Sequence, residues 1–106
     1  MYDKIKVSYF VDDEECDGVK SYQVLNKEKK DEVFIIICKY NERKARQNLE
    51  NMGFRKGIDY VSATALFAEL DFPIKDIARK RDVYIWGTGE VSHYFFFFFF
   101  EKNSDV

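Results

Sequence analysis

A chain of 106 residues, 46% apolar and 34% charged, is long enough for one packed domain and leaves little room for a second. Its formal net charge of -2 offers no positive field to nucleic acid, and its balance of apolar and charged residues excludes a disordered chain. The two cysteines, Cys16 and Cys38, belong to no CxxC pair or zinc-spaced cluster, which predicts reduced thiols in a reducing compartment.

The N-terminal MYDKIKVSYF carries no secretory signal pattern. The strongest apolar run, Tyr94 to Phe100, is far shorter than the ~20 residues that span a bilayer. These features predict a cytoplasmic protein without a membrane span. IKVSYFV, from Ile5 to Val11, reads as a strand that stops at Asp12 and Asp13, and Gly18 closes the acidic loop that follows. SYQVL, Ser21 to Leu25, reads as a short strand. VFIIIC, Val33 to Cys38, is apolar at every position, the mark of a parallel strand covered on both faces.

The next segment is punctuated as a helix, with Asn41 as N-cap and Gly53 as C-terminal stop. Ala45, Leu49 and Met52 share its apolar face. GIDYV, Gly57 to Val61, reads as a further strand, and Ser62 opens a second helix through Leu70. Residues 71–82 carry the single proline and several charges and read as a linker. VYIW is the last apolar strand, and Gly87-Thr88-Gly89 follows it directly, ahead of a helical segment. The alternation predicts an α/β fold, Rossmann-like, with a mostly parallel sheet flanked by helices.

Gly87, Thr88 and Gly89 have the context of a phosphate loop. The first glycine allows the turn, the second lets the backbone approach a phosphate, and the helix start offers free N–H groups. A tight strand-to-helix turn with no ligand is the alternative. In dinucleotide-binding folds an acid at the tip of the next strand holds the ribose, a role open here to Asp12 or Asp13. These acids precede the glycine loop, so the linear order is inverted. Either the chain is a window across two tandem units, or its last strand returns to complete the first sheet as in a circular permutation. The corresponding division is 1–70 as a unit without its first strand and glycine loop, 71–82 as linker, and 83–106 as the opening of a second unit or the completion of the first.

YFVDDEECDG, VFIIIC and the helix ending NLENMGF, with VYIWGTGEVS, resemble the Rossmann-like, CoA-binding-like domain of bacterial surface-polysaccharide and nucleotide-sugar-modifying proteins. The resemblance covers residues 5–70 and 83–94. It implies a non-catalytic nucleotide- or nucleotide-sugar-binding domain, a fragment of a larger polysaccharide-biosynthesis protein. It assigns Gly87, Thr88 and Gly89 to phosphate and Asp12 or Asp13 to ribose, with NAD(P), CoA or a nucleotide-sugar as the ligand. The glycine loop that should precede Asp12 is absent from the sequence.

Two other functions stay open. One is an interaction module that has lost its ligand and docks on a neighbouring domain, or on a second copy, through Phe95 to Phe100. The other is a fragment of an NAD-dependent oxidoreductase, for which no YxxxK pair or other proton donor is evident. Phe95 to Phe100 would place rings all around a helix, an aggregation hazard in an isolated chain. His93, the single histidine, has no partner acid fixed in sequence, and Asp12, Asp13, Glu14 and Glu15 read as a solvated acidic loop.

Overall fold

Val33–Ile37 forms the strand its unbroken apolarity predicts, and all five residues are buried. In the computed structural model, which describes residues 5–15, 18–39, 42–63, 74–87 and 100–102, the strands are β1 (Ile5–Val7), β2 (Tyr9–Asp12), β3 (Val19–Ser21), β4 (Val33–Ile37), β5 (Tyr60–Ser62), β6 (Asp82–Trp86) and β7 (Phe100–Lys102). The α-helices described over their full length are α1 (Glu42–Asn51) and α2 (Ile74–Lys80), and a 3-10 helix covers Tyr22–Lys27. Five strands make one sheet in the order β3-β2-β6-β4-β5, and every pair in it is parallel. Beside it, β1 pairs with β7.

The order becomes familiar when the strands are counted from β6. With β6 as the first strand and β2, β3, β4 and β5 following, it is the 3-2-1-4-5 arrangement of a Rossmann-type half-sheet and its neighbours. The fold is therefore α/β and Rossmann-like, with the chain passing through the central strand last among the five. β6 lies between β2 and β4, with Phe10 beside Ile85 and Ile36 beside Ile85 across the two ladders.

Period-two alternation divides the core into two faces. Phe34, Ile36, Cys38, Val61, Val83 and Ile85 point to one face, where Ile74, Ile77 and Ala78 of α2 cover them. Val33, Ile35, Ile37, Tyr60, Tyr84 and Trp86 point to the other, beneath Ala45 and Leu49 of α1 and Leu25 of the 3-10 helix. α1 stops as its sequence predicts. Gly53 has φ +97°, its N–H bonds the Glu50 carbonyl, and the Phe54 N–H reaches back to the Leu49 carbonyl. This is a Schellman motif, which glycine enters without a Cβ penalty.

Three readings of the sequence are corrected. Of the expected strand Ser21 to Leu25, only Ser21 is extended, as the last residue of β3, and Tyr22 to Leu25 lies in the 3-10 helix. The Ser21 hydroxyl accepts from the Gln23 N–H, and the three-residue repeat turns Tyr22 and Leu25 toward the same face, where Tyr22 stacks on Trp86. The expected single strand Ile5 to Val11 breaks at Ser8, and its two parts pair with different strands. Within the expected linker 71–82, Ile74–Lys80 is helical because Ile74, Ile77 and Ala78 give it an apolar stripe for the sheet. Ser62 ends β5, and the second helix expected from there begins at the next residue, Ala63. Asn41, the rest of that second helix through Leu70, and Tyr94 to Phe99 lie outside the described residues.

The amino ends of β4, β5 and β6 are tied by one buried carboxylate. Asp59, 1% exposed, accepts from the Arg55 backbone N–H at 2.7 Å, from Arg55 Nε at 3.1 Å and from the Arg81 guanidinium at 2.9 Å. The same Arg81 nitrogen also donates to the Ile58 and Val33 carbonyls, joining the start of β6 to both neighbouring loops. Burial works against the charged carboxylate, but the hydrogen bonds from Arg55 and Arg81 outweigh it and hold the Asp59 pKa below its ordinary value.

Removing this carboxylate takes the charged partner from Arg81 and the acceptor from the Arg55 N–H. Asp59→Ala is expected to cost on the order of 3 kcal/mol in urea unfolding. Because the folded pKa lies below the unfolded value near ~3.9, this stabilisation is complete above the unfolded value and is lost as pH falls through the folded one. Melting followed from pH 7 down to about pH 3 should show a steeper acid loss in the native chain than in Asp59→Ala. Equal slopes would remove Asp59 from the account.

Candidate functional site

The carboxyl ends of β2, β6 and β4 lie side by side, and each strand delivers a different chemical group. β2 ends at Asp12, β6 runs into Gly87, and β4 runs into Cys38 and Lys39. The ladders persist to the tips, where the Gly87 N–H donates to the Val11 carbonyl at 2.9 Å and the Cys38 N–H to the Trp86 carbonyl at 2.8 Å. This edge is also where the strand order reverses direction, with β2 on one side of β6 and β4 on the other. In open parallel sheets that position forms the ligand crevice.

Gly87 is fixed by geometry. Its φ is +129°, and a Cβ built on it would stand 2.3 Å from the Cys38 carbonyl oxygen and 3.0 Å from Lys39 Cγ. A side chain here would collide with the backbone leaving β4, so glycine is what allows β6 to pass so near β4 at its tip.

Lys39 reaches from the end of β4 past Gly87 to the end of β2. Its ammonium donates to Asp12 Oδ1 at 2.8 Å and to Asp13 Oδ2 at 3.4 Å. The pair is partly screened from water, with the Asp12 and Lys39 side chains 18% and 26% exposed, whereas Asp13 is 50% exposed. Burial favours the neutral amine, but the hydrogen bond and attraction of Asp12, with Asp13 behind them, hold the Lys39 pKa above its ordinary value. Asp12 Oδ1 also accepts from the Asp13 N–H at 2.8 Å, which fixes the carboxylate against the turn.

Of the residues expected at the site, Gly87, Asp12 and Asp13 meet at one sheet edge, while Thr88 and Gly89 lie outside the described residues, as does His93. Glu14 and Glu15 are exposed in the loop beyond β2. Among the described residues no group of three or more His, Cys, Asp or Glu side chains could hold a metal ion. The Cys38 thiol is buried and its pKa is pushed up to about 12 by that burial, so it stays protonated and unreactive at neutral pH. The edge thus brings together a carboxylate acceptor, an ammonium donor and a buried glycine closely approached by the backbone leaving β4.

Sequence reasoning missed Lys39. The signal was a basic residue directly after a strand buried on both faces, since that position falls on the carboxyl edge of a parallel sheet. Trp86, the single tryptophan, precedes Gly87 and is fully buried, and its indole N–H has no hydrogen-bond partner among the described residues. Among the described residues no helix is long and apolar enough to cross a membrane. Comparison of the chain with protein-family models, curated proteins and solved structures gives no match.

The contact between Gly87 and Cys38 predicts that Gly87→Ala destabilises the chain by roughly 2 kcal/mol or more, from a disfavoured φ together with the clash. Gly18→Ala, also at positive φ but with nothing within 4 Å of the added carbon, should cost less. Urea midpoints of the two variants measure the difference, and equal losses would show that φ alone matters.

Proposed function

We propose that the chain is a nucleotide-binding or nucleotide-sugar-binding domain that acts without catalytic groups of its own, in the service of a larger protein of the polysaccharide-biosynthesis type. The observation that carries the reading is the meeting of Gly87 and Asp12 on neighbouring strand tips at the point where the strand order reverses. A phosphate would lie at the tip of β6, and ribose hydroxyls would donate to Asp12. NAD(P), CoA and nucleotide-sugars all carry a phosphate and at least one free ribose hydroxyl. The polysaccharide context rests on the likeness of YFVDDEECDG, VFIIIC and VYIWGTGEVS to domains of that class.

One observation favours a second reading, an interaction module without a ligand. Lys39 already satisfies Asp12 and Asp13 from within the chain, as a vacated site would. A module of this kind would associate with a neighbouring domain or a second copy.

Thermal melting with NAD, NADP, CoA, S-adenosylmethionine and UDP- and CMP-sugars separates the two. A ligand at a hundred times its dissociation constant adds about 2.7 kcal/mol, several degrees for a domain of this size. The binding reading expects such a shift with at least one compound and its loss in Asp12→Asn. A cooperative melt that none of them moves, together with concentration-dependent self-association, would transfer the assignment to the interaction module.

A further inference from the structure

We propose that Lys39 is the phosphate ligand of this site, and that binding is an ion exchange in which its ammonium passes from Asp12 to the phosphate while the ribose hydroxyls take over the carboxylate. The inference rests on the nucleotide reading and specifies the ligand class further: a nucleoside 5′-phosphate with a free ribose diol.

Position is the first argument. Lys39 Cγ lies 3.0 Å from the point where a Gly87 Cβ would stand, so the side chain runs along the tip of β6, the place a phosphate would occupy in this strand order. Its ammonium ends 2.8 Å from Asp12, the acid placed to hold ribose. One side chain therefore connects the two halves of the expected ligand.

Charge balance is the second argument. Asp12, Asp13 and Lys39 together present two negative charges and one positive. An isolated phosphate arriving at Lys39 meets both carboxylates and is repelled. An isolated nucleoside must part Lys39 from Asp12 and leaves the ammonium without its closest acceptor. A nucleotide satisfies both groups at once, since hydroxyls donate to Asp12 and the phosphate accepts from Lys39 in a charge-assisted hydrogen bond. Partly exposed ion pairs of this kind contribute little and exchange readily, so the pair seen here is a resting arrangement that a ligand can replace. The Lys39 charge is secured in both states by an anion at its side.

Calorimetric titration of the full chain with ADP, adenosine, UDP and uridine tests the proposal. The native chain should bind at least one diphosphate ten or more times as tightly as its nucleoside. In Lys39→Met that ratio should fall towards one while the nucleoside affinity holds or rises slightly, and Lys39→Arg should restore the preference. A ratio unchanged in a folded Lys39→Met would overturn the role of Lys39 and leave the nucleotide reading standing. A native chain that binds none of the four would overturn both.

Discussion

β6 is hydrogen-bonded along both edges, to β2 on one side and to β4 on the other, and the two apolar faces of the sheet meet across it. Val83 and Ile85 carry the face under α2, and Tyr84 and Trp86 carry the face under α1 and the 3-10 helix. Without this strand β2 and β4 would be separate edges, each with an exposed row of backbone donors and acceptors and two uncovered apolar faces. A segment late in the chain is thus the middle of the fold. The sheet closes only when residues 75 positions apart, such as Phe10 and Ile85, have come together, an expensive loop closure for a small domain.

The two ends of β6 serve different purposes. At its amino end, Arg81 and the buried Asp59 tie the strand to the loops before β4 and β5 through hydrogen bonds among groups that water reaches poorly. At its carboxyl end Gly87 is tied by a backbone hydrogen bond to Val11, the buried Trp86 stacks on Tyr22, and the Lys39–Asp12 pair beside them is partly exposed. Asp12, Lys39 and Gly87 meet at the opposite edge from this buried carboxylate. Two buried tyrosines reinforce the middle of the same face. The Tyr60 and Tyr84 hydroxyls donate to Glu50 and Glu28, and burial, aided by these bonds, raises both phenol pKa values.

What could be read from the sequence follows from the range of the interactions. VFIIIC and VYIW were legible as buried parallel strands because their apolarity is continuous, and α1 because its apolar period and Gly53 agree. Ser21 to Leu25 was not, because five mixed residues fit a strand as well as a 3-10 turn until Trp86 supplies the stacking partner for Tyr22. The break at Ser8 and the helical Ile74–Lys80 were hidden for the same reason, since each is decided by what packs on it. The meeting of Gly87 with Asp12 followed from the sequence only on the condition that the last strand joins the first sheet, and strand order is a long-range property. The Lys39–Asp12 pair and the Arg81–Asp59 pair depend on the same condition, because neither forms until β6 is in place.

Hydrogen exchange of the backbone amides tests the central position of β6 most directly. The amides of Val83 to Trp86 should exchange only with global unfolding, as slowly as those of β4 and more slowly than those of the edge strands β3 and β5. Exchange of Val83 to Trp86 as fast as the edge strands, with β4 still protected, would mean that this strand does not lie at the centre of the sheet. The shared edge of Asp12, Lys39 and Gly87 would then not exist.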